Sequence, residues 1–95
     1  MKITDVRVRV LGTESRLKGV ATITFDDCFV VHDIKIIEGE SGVFIAMPSK
    51  KMPNGSYRDI AHPINSDTRK EIEDRIIAKY EDVLANPEQE EIGEE

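Results

Sequence analysis

From Lys2 to Leu11 the chain alternates. Val6, Val8 and Val10 point one way, and Asp5, Arg7 and Arg9 the other. A period of two with one apolar side predicts a half-buried strand. Leu17–Phe25 resumes the period. Leu17, Ala21, Ile23 and Phe25 form its apolar face, with Lys18, Thr22 and Thr24 opposite. Between these runs, Gly12–Arg16 reads as a connection. Asp26-Asp27 leaves room only for a tight polar turn, which predicts an antiparallel hairpin. Cys28–Glu38 is the most apolar stretch, with Phe29, Val30, Val31, Ile34, Ile36 and Ile37 on both faces. It is expected at the centre of the sheet, or buried by a second subunit. Phe25, Phe29 and Phe44 read as core. Gly39–Gly42 is a flexible turn. Val43–Met47 is a short strand closed by Pro48, which cannot donate to a ladder.

The pattern then changes. Pro53-Asn54-Gly55 is a strong turn signal, because proline presets φ and asparagine and glycine tolerate positive φ. Val43–Lys51 and Ser56–Ala61 read as two arms of a hairpin around it, with Lys50, Lys51 and Arg58 near its tip. Pro63 ends the second arm. Asn65 or Ser66 caps a helix, with Thr68 and Glu71 as a further capping-box option. Ile72, Ile76, Tyr80 and Val83 recur at helical spacing, flanked by Ile77 and Leu84. Glu71 and Arg75 stand four apart on the polar side. Asn86-Pro87 ends the helix. The fold class expected is α+β: a small antiparallel β-sheet of about five strands followed by a C-terminal helix. Residues 1–85 form one domain, and 86–95 an acidic tail expected to be disordered.

Ninety-five residues bury a marginal core, which favours a two-fold homodimer. The net charge of −6 argues at first against nucleic acid. Its distribution changes that. The last ten residues hold five acids and no base, and without them 13 basic residues meet 14 acidic ones. A near-neutral body leaves room for a local basic patch and a salt-sensitive polyanion site. A single cysteine, Cys28, permits no internal disulfide and fits a reducing cytosol. The first residues lack the apolar core of a signal peptide, and no run approaches a membrane span. A cytoplasmic location is expected.

The candidate chemistry is sparse. Lys50, Lys51 and Arg58 on a rigid tip could hold consecutive phosphates. They could equally be a solvated loop that keeps an edge strand from aggregating. Arg69 and Lys70 lie in the first helical turn, where cations oppose the macrodipole but an anion finds free N–H groups. Solvent exposure alone would also explain them. Cys28 and His32 are separated by four strand positions, about 13 Å at ~3.3 Å per residue, too far for a thiol–imidazole pair. A buried cysteine and a structural histidine are expected instead. His62 has no second ligand at a metal-binding spacing. Asp33, within an apolar strand, must face water, a second subunit or a cation on a neighbouring strand. No phosphate loop, nucleophile elbow or zinc-protease motif is present, so neither enzyme activity, nor a small-molecule substrate, nor a cofactor is expected. Five aromatics and no tryptophan supply a base-stacking platform poorly.

The segments KITDVRVR, ITFDDCFVVHDIKIIEG, FIAMPSKK and YRDIAHPINSDTRKEI resemble the SpoVG family, the stage V sporulation protein G or septation regulators of bacteria. The likeness covers about Met1–Leu84, and AMPSKK and DIAHPI are unusual strings. Only the acidic tail looks idiosyncratic. The resemblance implies a small cytoplasmic homodimer, not an enzyme. Such proteins bind DNA and RNA and regulate genes for septation, sporulation, capsule or virulence. Their binding surface involves the basic loop and the start of the helix. Carried over, this implies Lys50, Lys51 and Arg58, with Ser66, Asp67, Thr68, Arg69 and Lys70. A protein-interaction module with incidental nucleic-acid contact is the rival reading, supported by the acidic tail and the apolar Cys28–Ile37 strand.

Overall fold

The computed structural model describes residues 1–12 and 14–86. The acidic tail beyond Asn86, and Thr13 in the first connection, lie outside the described residues. Six strands and one helix follow in order: β1 Ile3–Val10, β2 Leu17–Phe25, β3 Phe29–Gly39, β4 Gly42–Ala46, β5 Ser49–Lys51, β6 Tyr57–Asp59 and α1 Ser66–Ala85. The first four form an antiparallel sheet in the order β1-β2-β3-β4, and β5-β6 form a separate two-stranded ribbon. This is the α+β class that the pattern predicts. The fourth expected strand is divided in two, because Pro48 cannot continue the ladder and the chain leaves the main sheet there.

The β2–β3 link is as tight as Asp26-Asp27 requires. Both residues have positive φ, 53° and 55°, and the Cys28 N–H donates to the Phe25 carbonyl at 3.0 Å. Such a turn twists in the sense its flanking strands need. The start of β1 is laced to it. The Lys2 N–H donates to Asp26 Oδ1 at 3.1 Å, and the Asp27 N–H to Thr4 Oγ1 at 2.9 Å.

β3 carries one residue more than β2 between paired positions. Ala21 opposes Ile34 and Ile23 opposes Val31, so His32 and Asp33 together face Thr22. Asp33 takes φ 63° in this β-bulge. The extra residue keeps Val31, Ile34 and Ile36 on one side and sends both His32 and Asp33 outward. Asp33 is therefore exposed on the side away from the helix.

One face of the sheet and α1 make the core. Val8, Ile23, Ile34, Ile36 and Ile45 are buried from the sheet side, and Ile72, Ile76, Tyr80 and Val83 from the helix. Their spacing is the one read from the sequence. Each large aliphatic removed from water contributes about 1.5–3 kcal/mol. The helix packs chiefly on β1, and also on β4 and β2. It covers only this face. The other face, with Arg9, Val20, Lys35 and Ala46 in one cross-strand row, is open to solvent except where the base of the ribbon meets it.

Two expectations are corrected here. Phe29 is 62% exposed and Phe44 40% exposed, so of the three phenylalanines only Phe25 is core within the chain. Phe29 opens β3 at the sheet's end, and Phe44 stands on the uncovered face. Cys28 is likewise exposed, because the tight turn projects it beyond the helix's reach. Among the described residues, no helix is long and apolar enough to cross a membrane.

Candidate nucleic-acid interface

The ribbon is built by its turn. The Gly55 N–H donates to the Met52 carbonyl at 2.9 Å, with Gly55 at φ 92°. Asn54 Oδ1 accepts from both the N–H and the hydroxyl of Ser56, at 3.0 and 2.7 Å. This Asx-type bonding holds the tip that Pro53-Asn54-Gly55 announces. Beyond it, Lys51 opposes Tyr57, Lys50 opposes Arg58, and Ser49 opposes Asp59. The Ile60 N–H donates to the Pro48 carbonyl at 2.7 Å and closes the base. Every residue of β5 and β6 is exposed.

Lys50 and Arg58 thus stand directly across from one another. Like charges in that relation destabilise a strand pair. None of Lys50, Lys51 and Arg58 has a carboxylate partner among the described residues. Tyr57, 69% exposed, is the aromatic beside them.

The helix start differs. Asn65, not Ser66, is the N-cap: its Oδ1 accepts the Thr68 N–H at 2.7 Å from an extended backbone. Ser66 is the first helical residue, and Thr68 lies within the first turn and opens no second cap. Ser66 and Asp67 are exposed. Asp67 is favourably placed against the dipole. Arg69 donates from Nη2 to the Ile45 carbonyl at 3.3 Å. Lys70 pairs with Asp74 at 3.0 Å, and this, rather than Glu71–Arg75, is the i,i+4 ion pair among the described residues.

The eight expected residues therefore form two groups. Lys50, Lys51 and Arg58 share a projecting ribbon and are free to meet an anion. Ser66, Asp67, Thr68, Arg69 and Lys70 belong to a helix packed on the sheet, and Arg69 and Lys70 already have protein partners. Thr68 instead joins Phe29, Met47, Ala61, Pro63 and Ile72 around an apolar cavity of about 150 Å³. His62 is exposed beside it, with Nδ1 2.9 Å from the Pro63 carbonyl oxygen. His32 is exposed with Nδ1 3.5 Å from Thr22 Oγ1.

Sequence reading passed over Lys35. Arg9 appeared only as the polar side of a strand. The register aligns Arg9 with Val20 and Val20 with Lys35 on the open face. The bulge at Asp33 separates Lys35 from any simple alternation, which hid it.

A small α+β protein with a cationic ribbon standing off a helix-backed sheet is the class this geometry defines. The SpoVG family model matches residues 1–82, and the chain belongs to the SpoVG family. It is 70% identical over 84 residues to a protein of Acholeplasma laidlawii named "Putative septation protein SpoVG", covering 88% of this chain and 89% of that one. A protein of the same name from Phytoplasma australiense is 64% identical over 87 residues, covering 92% and 91%. One from Caldicellulosiruptor bescii is 56% identical over 85 residues, covering 90% and 97%.

Proposed function

We propose that this chain is a cytoplasmic homodimer that binds DNA and RNA and regulates gene expression linked to septation and sporulation, without catalysing a reaction. The observation that carries the reading is the Lys50–Arg58 pair. Two facing cations on a marginal two-stranded element cost stability, and no carboxylate among the described residues offsets them. A phosphate backbone would. Membership of a family whose relatives bear a septation name supports the cellular role.

The test is DNA and RNA affinity against salt for the parent and for Lys50→Ala/Lys51→Ala. Each lost phosphate contact should flatten the log–log salt slope by about 0.7–0.9. A double variant with unchanged affinity and slope removes these lysines from the site.

A second reading rests on Phe29, Val30 and Phe44, all exposed on the sheet. Exposed apolar groups of this size fit a protein partner, and the chain would then be a protein-interaction module whose nucleic-acid contact is incidental. If micromolar protein retards neither DNA nor RNA at moderate salt while a protein co-purifies, this reading replaces the first.

A further inference from the structure

We propose that the nucleic-acid track does not stop at the ribbon but continues over the open face of the sheet, where Arg9 and Lys35 hold further phosphates. This rests on the nucleic-acid reading above and adds a surface to it.

Three observations carry the inference. First, Arg9 and Lys35 are both exposed, and neither has an ion-pair partner among the described residues. Second, the register Arg9–Val20–Lys35 sets them two strands apart on one face, about 10 Å at the usual strand spacing. The helix lies on the opposite face, so nothing in α1 shields them. Third, the open face runs into the ribbon. A cleft of about 280 Å³ is lined by Val20, Asp33 and Lys35 from the sheet and by Pro48, Ser49 and Ile60 from the ribbon's base. By strand alternation Pro48 and Ile60 share a ribbon face with Lys50 and Arg58. The order Arg9, Lys35, cleft, Lys50 with Arg58 is therefore one continuous cationic path.

The path has two acidic points. Asp33 lines the cleft and repels phosphate there, so the backbone passes on the Lys35 side. Asp5 pairs with Arg7 at 2.9 Å and removes Arg7 from the free cations of this face. The chemistry favoured is a sugar–phosphate backbone lying along a groove, held by point charges. Phe44 is the one large aromatic on this face, which leaves little for base stacking.

The experiment uses the full chain and a fluorescent oligonucleotide, as a duplex and as a single strand, titrated between about 50 and 200 mM salt. Arg9→Gln/Lys35→Gln is compared with Arg75→Gln/Lys79→Gln, which removes the same charge from the helix. Thermal melts check that each variant folds. The expected result for the sheet variant is a slope shallower by about 1–2 and an affinity lower by roughly tenfold, on at least one probe. The helix variant should change the slope by less than half as much. Equal losses in both variants would mean net charge alone acts, and would overturn the proposal. An unchanged sheet variant beside a weakened Lys50→Ala/Lys51→Ala would overturn it too, while leaving the ribbon site standing. A parent chain that binds neither probe at the lowest salt removes both.

Discussion

Ile45 lies between two side chains of the helix that are one turn apart. Its carbonyl accepts from Arg69 Nη2 at 3.3 Å, and its N–H donates to Glu73 Oε2 at 3.4 Å. β4 is the last strand of the sheet, so these backbone groups would otherwise point outward without a partner. Unpaired edges invite pairing with another chain, and charged side chains that cover them prevent it. Arg69, carried by family likeness into the binding surface, thus has a structural task in this fold.

Arg69→Ala should accordingly lower stability by about 0.5–1.5 kcal/mol, the usual net worth of one hydrogen bond. Urea unfolding of the parent and variant measures it. Affinity for DNA should fall less than in Lys50→Ala/Lys51→Ala, because the guanidinium is already engaged. A variant with full stability and a larger binding loss would make Arg69 a ligand contact rather than an edge clamp.

Asp33 offers a test of the bulge. A left-handed backbone costs an ordinary L-residue about 1–2 kcal/mol, less for asparagine and aspartate, and little for glycine. Asp33→Val should therefore destabilise by about that amount, whereas Asp33→Asn and Asp33→Gly should stay within roughly 0.5 kcal/mol of the parent. The variants are ranked by denaturant midpoint. A valine as stable as asparagine at this exposed position would mean that the bulge relaxes.

Gly19 is tight for a different reason. A Cβ built on it would lie 2.9 Å from the carbonyl oxygen of Arg9, and backbone cannot swing aside as a side chain can. Gly19→Ala should part β1 from β2 locally and cost about 1–3 kcal/mol, as other overpacked positions do. Amide exchange at the β1–β2 ladder reads the effect: faster exchange at Val8 to Val10 is expected, and unchanged protection would refute the clash.

Much of this fold was legible because its elements are simple. Alternation in β1 and β2, the Asp26-Asp27 and Asn54-Gly55 turns, and the Ile72, Ile76, Tyr80, Val83 stripe each follow from local chemistry. What failed depended on how much of the sheet the helix would cover. Composition marks Phe29 and Phe44 as apolar but does not say that α1 leaves the first exposed at the sheet's end and lies on the opposite face from the second. The bulge was invisible for a related reason. Asp33 is compatible with a left-handed backbone, but only the pairing of Ala21 with Ile34 and Ile23 with Val31 reveals the extra residue. The ribbon cations were found from turn chemistry, and Asn65 was one of two capping candidates. The partners of Arg69 and Lys70 were not, because one is a distant carbonyl and the other an alternative to the expected Glu71–Arg75 pair.

Residues 87–95 carry all five acids of the tail, and the rest of the chain has a net charge of −1. A polyanion approaching Lys50, Lys51 and Arg58 must overcome the chain's net charge of −6, most of which residues 87–95 supply. Unit charges repel over about 10 Å at 0.1 M salt and over much less at high salt. A chain ending at Asn86 keeps the helix C-cap, whose N–H bonds the Asp82 carbonyl. It should bind a short DNA roughly three- to tenfold more tightly at low salt, with the gain fading as screening shortens the range of repulsion. Fluorescence anisotropy across the salt series measures it. Equal affinity of the two chains at the lowest salt would show that the tail does not oppose binding, and a gain that persists at high salt would call for a steric cause instead.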